Sequence, residues 1–266
     1  MAQLLRMGLN LLYPPRCPYC RGFLDRDALP GCPACLEKLP RTEDGGIQTG
    51  AWFSFCAAPF YYEGTVRESL LRFKFHHRGE YAKRYAPYLA DCIRACMSGR
   101  YDLISWVPIS KKRLRERGYD QDQLLAHFTS GALGQRSMGV LKKIRDTPPQ
   151  SGLDSAELRR KNVEAAYRVP EPELVRGKRV LLIDDIITTG STLSECAGTL
   201  RAAGAAEVLC ATFARAGRHG MRETEPEDSS PGGCVSAPRS AVFRACSRNR
   251  GMSPRRAGAA LPPFAV

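Results

Sequence analysis

Val180–Leu181–Leu182–Ile183–Asp184–Asp185–Ile186–Ile187–Thr188–Thr189–Gly190–Ser191–Thr192 runs from unbroken aliphatics into two carboxylates and then into hydroxyls. The apolar start is the pattern of a strand buried on both faces of a parallel sheet, and predicts a strand over Arg179–Ile183. Asp184 to Thr192 then reads as a loop. Leu193, Cys196, Ala197 and Leu200 recur at helical spacing, so Ser191–Ala203 is predicted as a helix that Gly204 ends. This order sets hydroxyls and free backbone N–H groups at the carboxyl edge of a sheet, where open α/β folds bind ligands. The helix N-terminus attracts anions without needing a lysine. Two carboxylates beside it suit sugar hydroxyls, or a divalent cation that bridges ligand oxygens. A ribose flanked by phosphates would use both features. The plainer alternative is a capping box between Thr192 and Glu195, with the aspartates as solvated loop residues. The sequence holds no G-x-x-x-x-G-K-[ST] and no G-x-G-x-x-G, so neither a P-loop nor a dinucleotide fold has support.

Working outward, a further strand is predicted at Val208–Ala214, and a short one at Leu103–Pro108. Helical spacing of Val66, Leu70, Leu71 and Phe73 predicts a helix over Val66–Phe75. Tyr85, Leu89, Cys92, Ile93 and Cys96 predict another over Tyr81–Met97, stopped at Ser98–Gly99. Asp120 and Gln123, at capping-box spacing, open a helix to Leu133 with Leu124, Leu125 and Phe128 on one face. Strands alternating with helices predict an α/β fold around a mostly parallel sheet. The aromatic run Trp52, Phe53, Phe55, Phe60, Tyr61, Tyr62 reads first as strand packing and second as a surface for stacking bases.

Three zones follow. Residues 14–45 are rich in Pro, Gly and Cys and end near Glu43–Gly46, which reads as a linker. Residues 50–216 hold the α/β pattern. Residues 217–266 mix Arg, Pro, Gly, Ser and Ala without apolar periodicity, and are expected to be a disordered or unrelated tail. In the first zone Cys17–Pro18–Tyr19–Cys20 and Cys32–Pro33–Ala34–Cys35 form two C-x-x-C knuckles, enough for four thiolates around one structural Zn²⁺. A redox dithiol is the alternative. Cys32→Ser is expected to loosen this module and spare the α/β core. Cys92, Cys96 and Cys196 sit on apolar helix faces and read as core packing.

The chain of 266 residues carries a formal net charge of +13, which favours phosphorylated small molecules or nucleic acid as partners, or else makes a generally basic surface. No apolar run reaches the roughly 18 residues of a membrane span. The start, Met1–Tyr13, lacks a charged leader region and a small-residue cleavage site. No membrane insertion is expected, and the chain reads as cytoplasmic. Five cations in seven residues, Lys111, Lys112, Arg113, Arg115 and Arg117, follow the short strand and could clamp a second polyanionic group. A solvated basic face is the alternative. His76 and His77 read as structural or substrate-adjacent.

Leu182–Gly190 resembles the motif with which type I phosphoribosyltransferases (PRTases) bind phosphoribosyl pyrophosphate, PRPP. The resemblance implies that Asp184 and Asp185 hold the ribose 2′ and 3′ hydroxyls and act as the catalytic pair. Thr188, Thr189, Gly190, Ser191 and Thr192 would cradle the 5′-phosphate. Arg113-x-x-x-Arg117–Gly118–Tyr119–Asp120–Gln121 is similar to the R-x-x-x-RGFNQ segment of the ComF family of competence-associated proteins. Here Tyr119 stands for Phe, and Asp120 for Asn with its capping chemistry kept. Gln150-x-x-Leu153, Arg159, Arg160, Asn162 and Ala165–Ala166–Tyr167 resemble the same family, as do Tyr62–Glu63–Gly64 and Leu71–Phe75. Membership implies a PRTase-like parallel sheet with a small N-terminal zinc-ribbon-like module at Cys17, Cys20, Cys32 and Cys35. It implies PRPP with Mg²⁺, and a basic cluster of Lys111, Arg113, Arg115 and Arg117 on the pyrophosphate. It also implies a link to natural competence through single-stranded DNA and DNA-uptake proteins. Two functions stay open: phosphoribosyl transfer to an unspecified acceptor, and PRPP-regulated binding of single-stranded DNA without catalysis.

Overall fold

Residues 14–24, 30–145 and 166–217 are described in a computed structural model of the chain. A short helix α1 (Pro33–Leu36) follows the first knuckle. Strands β1 (Cys56–Ala57) and β2 (Phe60–Tyr61) lead into helices α2 (Gly64–Phe75) and α3 (Tyr81–Met97). Then come β3 (Leu103–Trp106), α4 (Lys111–Arg117) and α5 (Gln121–Ala132). An antiparallel pair of β4 (Lys142–Lys143) and β5 (Tyr167–Arg168) precedes β6 (Arg179–Ile187), α6 (Ser191–Ala202) and β7 (Glu207–Arg215).

The sheet runs β1–β7–β6–β3, with β2 continuing beside β7, and every pairing in it is parallel. β6 and β7 lie in the middle, which is why both read as near-continuous aliphatics. Alternate residues divide between two cores. Leu181, Ile183, Leu209, Ala211 and Phe213 face α2, α3 and α5. Val180, Leu182, Val208 and Cys210 face α6 and the β4–β5 pair. On the first face the Tyr85 ring stacks on Phe213 at 4.1 Å, and its hydroxyl meets Ser69 Oγ at 2.5 Å, so a buried phenol keeps a partner.

Most helices fall where the apolar spacing placed them, and α3 keeps its predicted bounds. One boundary differs in a way that matters. β6 does not end at Ile183 but runs through both aspartates to Ile187, because β7 stays paired with it as far as Arg215. The loop therefore shrinks to Thr188–Gly190. The cationic run after β3, to which the sequence pattern assigns no element, is helical. It is the helix α4, opened by Ser110, whose side chain accepts from the Arg113 N–H, and closed by Gly118 in the left-handed region (φ 77°). The aromatic run divides: Phe53, Phe55 and Phe60 are buried, and Trp52 lies exposed against Gly198 of α6.

The cysteine-rich segment is not separable from this core. Cys17, Tyr19, Leu24 and Leu39 belong to the same apolar cluster as Phe60, Tyr85 and Leu89. Arg72 of α2 donates to the carbonyls of Pro18 and Tyr19, both at 2.9 Å, and so fastens the first knuckle to a core helix. Glu43–Gly46 forms a tight turn, with the Ala58 N–H donating to the Gly45 carbonyl. This shared burial argues against the expectation that damage to the knuckles would spare the α/β core. Among the described residues no helix is long and apolar enough to cross a membrane. The first thirteen residues, the segment 146–165 with the Gln150–Asn162 motif, and the tail beyond Gly217 lie outside the described residues.

Candidate functional site

The carboxyl edge of the sheet brings three groups of side chains together. The first is the loop between β6 and α6. Gly190 takes φ 77°, ψ 4°, a conformation that costs little only without a side chain, and caps α6 through its backbone. The Ser194 N–H donates to its carbonyl. Thr188, Thr189, Ser191 and Thr192 are exposed, with Thr189 and Ser191 hydroxyls 2.8 Å apart. Asp184, Ile186 and Leu193 complete a small hollow with this loop. The first turn of α6 holds no carboxylate, so no side chain of the helix itself opposes an anion at its positive end. The capping-box alternative fails: Glu195 accepts from the Ala166 N–H at 2.8 Å and makes no box with Thr192.

The second group is acidic and buried. Carboxylate oxygens of Asp122, Asp184 and Asp185 lie within 4.8 Å of one another, and their residues are 2%, 9% and 3% exposed. Burial, and then the neighbouring Asp185, push the Asp184 carboxyl up to about 7. Burial and the adjacent carboxylates raise Asp122 well above the ordinary range. Lys74 Nζ sits 3.0 Å from Asp185 Oδ2. Burial alone would lower the Lys74 ammonium, but Asp185, Asp122 and Asp184 outweigh it and keep it charged. Three carboxylates with one ammonium remain under-compensated. Asp122 Oδ1 has no hydrogen-bond partner, and oxygen donors of this kind suit a hard divalent cation such as Mg²⁺. Asp120 stands behind the cluster as the N-cap of α5, accepting from the N–H groups of Asp122, Gln123 and Ile109.

The third group is a basic basin of about 390 Å³, walled by Lys74, Phe75, His77, Arg113, Glu116 and Arg117. Helical spacing explains its membership. Arg113 and Arg117 stand one turn apart on α4 and share a face, whereas Lys111 and Arg115 fall outside the basin. The Arg117 carbonyl holds His77 Nδ1 at 3.0 Å, and the Arg117 guanidinium lies over the Phe75 ring at 5.1 Å. His77 has φ 50°, left-handed backbone in a residue with a Cβ.

Sequence reasoning missed Lys74 and Asp122. Lys74 lies in the ComF-like segment Leu71–Phe75, but between two aromatic residues in a helix its type and spacing assign it no role. Asp122 did leave a trace. With Leu125, Ala126 and Thr129 it occupies the i, i+3, i+4, i+7 stripe that turns inward, so a carboxylate stands where the pattern calls for a core residue.

The thiols of Cys17, Cys20, Cys32 and Cys35 lie within 4.8 Å of one another, with Cys20 and Cys32 sulfurs 3.6 Å apart. A tetrahedron with Zn–S of about 2.3 Å needs sulfurs about 3.8 Å apart, so the cluster fits one zinc ion. Burial works to raise Cys17, yet backbone N–H groups outweigh it and bring the thiol down to about 7. Burial and the neighbouring thiols raise Cys35. Four adjacent thiols cannot all ionise without a cation among them.

The profile of the phosphoribosyl transferase domain matches residues 133–240, which include β6, the loop and α6. The DNA utilization protein YhgH of Salmonella typhi is 32% identical over 211 residues, covering 74% of this chain and 84% of its own. Competence protein F of Haemophilus influenzae is 30% identical, covering 76% of this chain and 97% of its own. This chain belongs to the ComF family. The family reaches to competence protein ComFC of Streptococcus pneumoniae, 26% identical over 75% of this chain and 87% of that one. The ComF fold here is a parallel PRTase-like sheet with a cysteine cluster fitted for zinc at its N-terminal end.

Proposed function

We propose that this ComF protein binds PRPP at the carboxyl edge of β6 and transfers its phosphoribosyl group to a nucleophilic acceptor. The observation that carries the reading is the juxtaposition at one sheet edge. A hydroxyl-lined helix N-terminus, a buried acidic pair and a basic basin match the 5′-phosphate, the ribose diol and the diphosphate of one ligand. Thr188, Thr189, Gly190, Ser191 and Thr192 take the 5′-phosphate. Asp184 and Asp185 accept from the ribose hydroxyls. Arg113 and Arg117 take the diphosphate, with Lys111 and Arg115 outside the basin and left to bind polyanions more loosely. In the transfer the acceptor's lone pair forms a bond to C1 as the C1–O bond breaks, and its electron pair leaves with the diphosphate. Positive charge building on the ribose is stabilised by the two buried carboxylates, and negative charge on the leaving group by the arginines. Mg²⁺, when bound, would neutralise diphosphate oxygens beside Asp184 and Asp185. Zn²⁺ on Cys17, Cys20, Cys32 and Cys35 is structural. Residues 14–45 form the zinc module and 50–216 carry the transfer site.

The names of the relatives, DNA utilization protein and competence protein, direct the acceptor search toward DNA and its uptake partners. A second reading, PRPP-regulated binding of single-stranded DNA without transfer, is favoured by one observation. Phe75 is 60% exposed at the basin wall beside Arg117, an aromatic and a cation placed as nucleotide-binding surfaces place them. Incubating the zinc-loaded protein with PRPP, Mg²⁺ and candidate acceptors, single-stranded DNA among them, and weighing the products separates the two. The enzyme reading expects diphosphate release and an acceptor heavier by one phosphoribosyl unit. Intact PRPP with every acceptor, together with DNA binding that PRPP displaces, supports the second reading and overturns the first.

A further inference from the structure

Lys74 belongs to the acidic cluster and to the basic basin at once. Its ammonium is 3.0 Å from Asp185 Oδ2, and the same side chain walls the basin with Arg113, Arg117 and His77. The backbone that carries it is fixed. Phe73 is fully buried and its carbonyl accepts from the Tyr119 hydroxyl, and Arg72 is tied to the first knuckle. The side chain itself is 22% exposed and has four methylenes with which to move. Asp185 Oδ2 has this ion pair and no hydrogen bond. In PRPP the diphosphate on C1 neighbours the hydroxyls on C2 and C3, so a residue placed between carboxylate and anion basin spans adjacent substituents of one ribose.

Resting on the PRPP reading, we propose that Lys74 is an exchangeable internal cation that neutralises Asp185 while the site is empty. When a ribosyl diphosphate enters, Asp185 takes the ribose hydroxyl and the Lys74 ammonium turns to the diphosphate. The lysine thus couples diol recognition to diphosphate recognition: a ligand with only one of the two groups leaves either the carboxylate or the ammonium less well matched.

The test is titration calorimetry on zinc-loaded full-length protein at fixed Mg²⁺, using wild type, Lys74→Met and Lys74→Arg. The probes are PRPP, inorganic diphosphate and ribose 5-phosphate. Lys74→Met is expected to weaken PRPP and diphosphate by about tenfold or more, since it removes a charge-assisted contact, and to leave ribose 5-phosphate unweakened. Lys74→Arg is expected to recover most of the PRPP affinity. Wild-type affinities for PRPP and diphosphate in Lys74→Met would overturn the proposal. So would an equal loss for all three probes, which marks a merely structural role, with Lys74→Arg checking that the site still folds. Wild-type protein that binds no PRPP at all would instead sink the reading beneath it, and the proposal with it.

Discussion

Replacing Asp184 and Asp185 together by Asn is expected to lower PRPP affinity tenfold or more while the protein stays folded. Both aspartates lie within the central strand β6, whose ladder to β7 is made by backbone, so the amides keep the architecture. What they lose is charge: hydrogen bonds to ionised acceptors contribute about 1.5–3 kcal/mol each, against about 0.5–1.5 for neutral ones. Calorimetry with PRPP and Mg²⁺ measures the loss directly, and unchanged affinity in the double variant would remove the acidic pair from the site.

The single variant Asp184→Asn is expected to have the opposite effect on stability. The Asp184 pKa is raised in the folded state to about 7, by burial first and Asp185 second. Between roughly pH 4 and 7 the folded protein therefore holds a proton that the unfolded chain releases, and stability falls as pH rises through that window. Above it the cost of the buried charge is fully present. Asn removes that cost, so Asp184→Asn should melt higher than wild type at pH 8, with the difference shrinking toward pH 4. Equal melting temperatures at pH 8 would mean that a neighbouring group, Lys74 foremost, already compensates the charge. The site is thus built against its own stability, as binding sites often are.

The second large effect concerns the cysteines. Wild-type protein is expected to carry one zinc ion per chain. Cys32→Ser is expected to lower the melting temperature of the whole α/β domain by on the order of 10 °C. The reason is continuity of packing. Tyr19, inside the first knuckle, is 2% exposed and shares a cluster with Phe60 and Tyr85, and Arg72 ties its carbonyl to α2. Zinc binding contributes on the order of 10 kcal/mol to small zinc modules. Part of that free energy here holds down a wall of the main core. Metal analysis together with thermal melts checks this. A variant lacking all four thiols that melts as wild type, or that keeps its zinc, would contradict it.

Much of the sheet edge was legible in the sequence because it is local. Aliphatics into carboxylates, hydroxyls and glycine name a strand, a loop and a helix start without reference to the rest of the chain. The extent of β6 was not legible, since Asp184 and Asp185 stay in strand conformation only because β7 runs alongside to Arg215. The basic run was visible as charge but not as geometry. Once Ser110 and Gly118 cap it as a helix, Arg113 and Arg117 face the basin and Lys111 and Arg115 do not. Lys74 and Asp122 come from α2 and α5, distant in sequence from β6, and meet Asp185 only through tertiary packing. The merging of the knuckles with the core escaped for the same reason. Tyr19 reads as a spacer between two cysteines until the fold supplies Tyr85 and Phe60 around it.

The measurement that bears most directly on the site is a calorimetric titration of the zinc-loaded wild-type protein with PRPP, ribose 5-phosphate and diphosphate in turn, at fixed Mg²⁺ and at two salt concentrations. A site that joins the loop, the acidic pair and the basin should bind one PRPP per chain, at least tenfold tighter than either half, with an advantage that survives added salt. Absence of saturable PRPP binding would contradict the site, as would PRPP binding no tighter than diphosphate and fading with salt to the same degree, the behaviour of a basic surface alone.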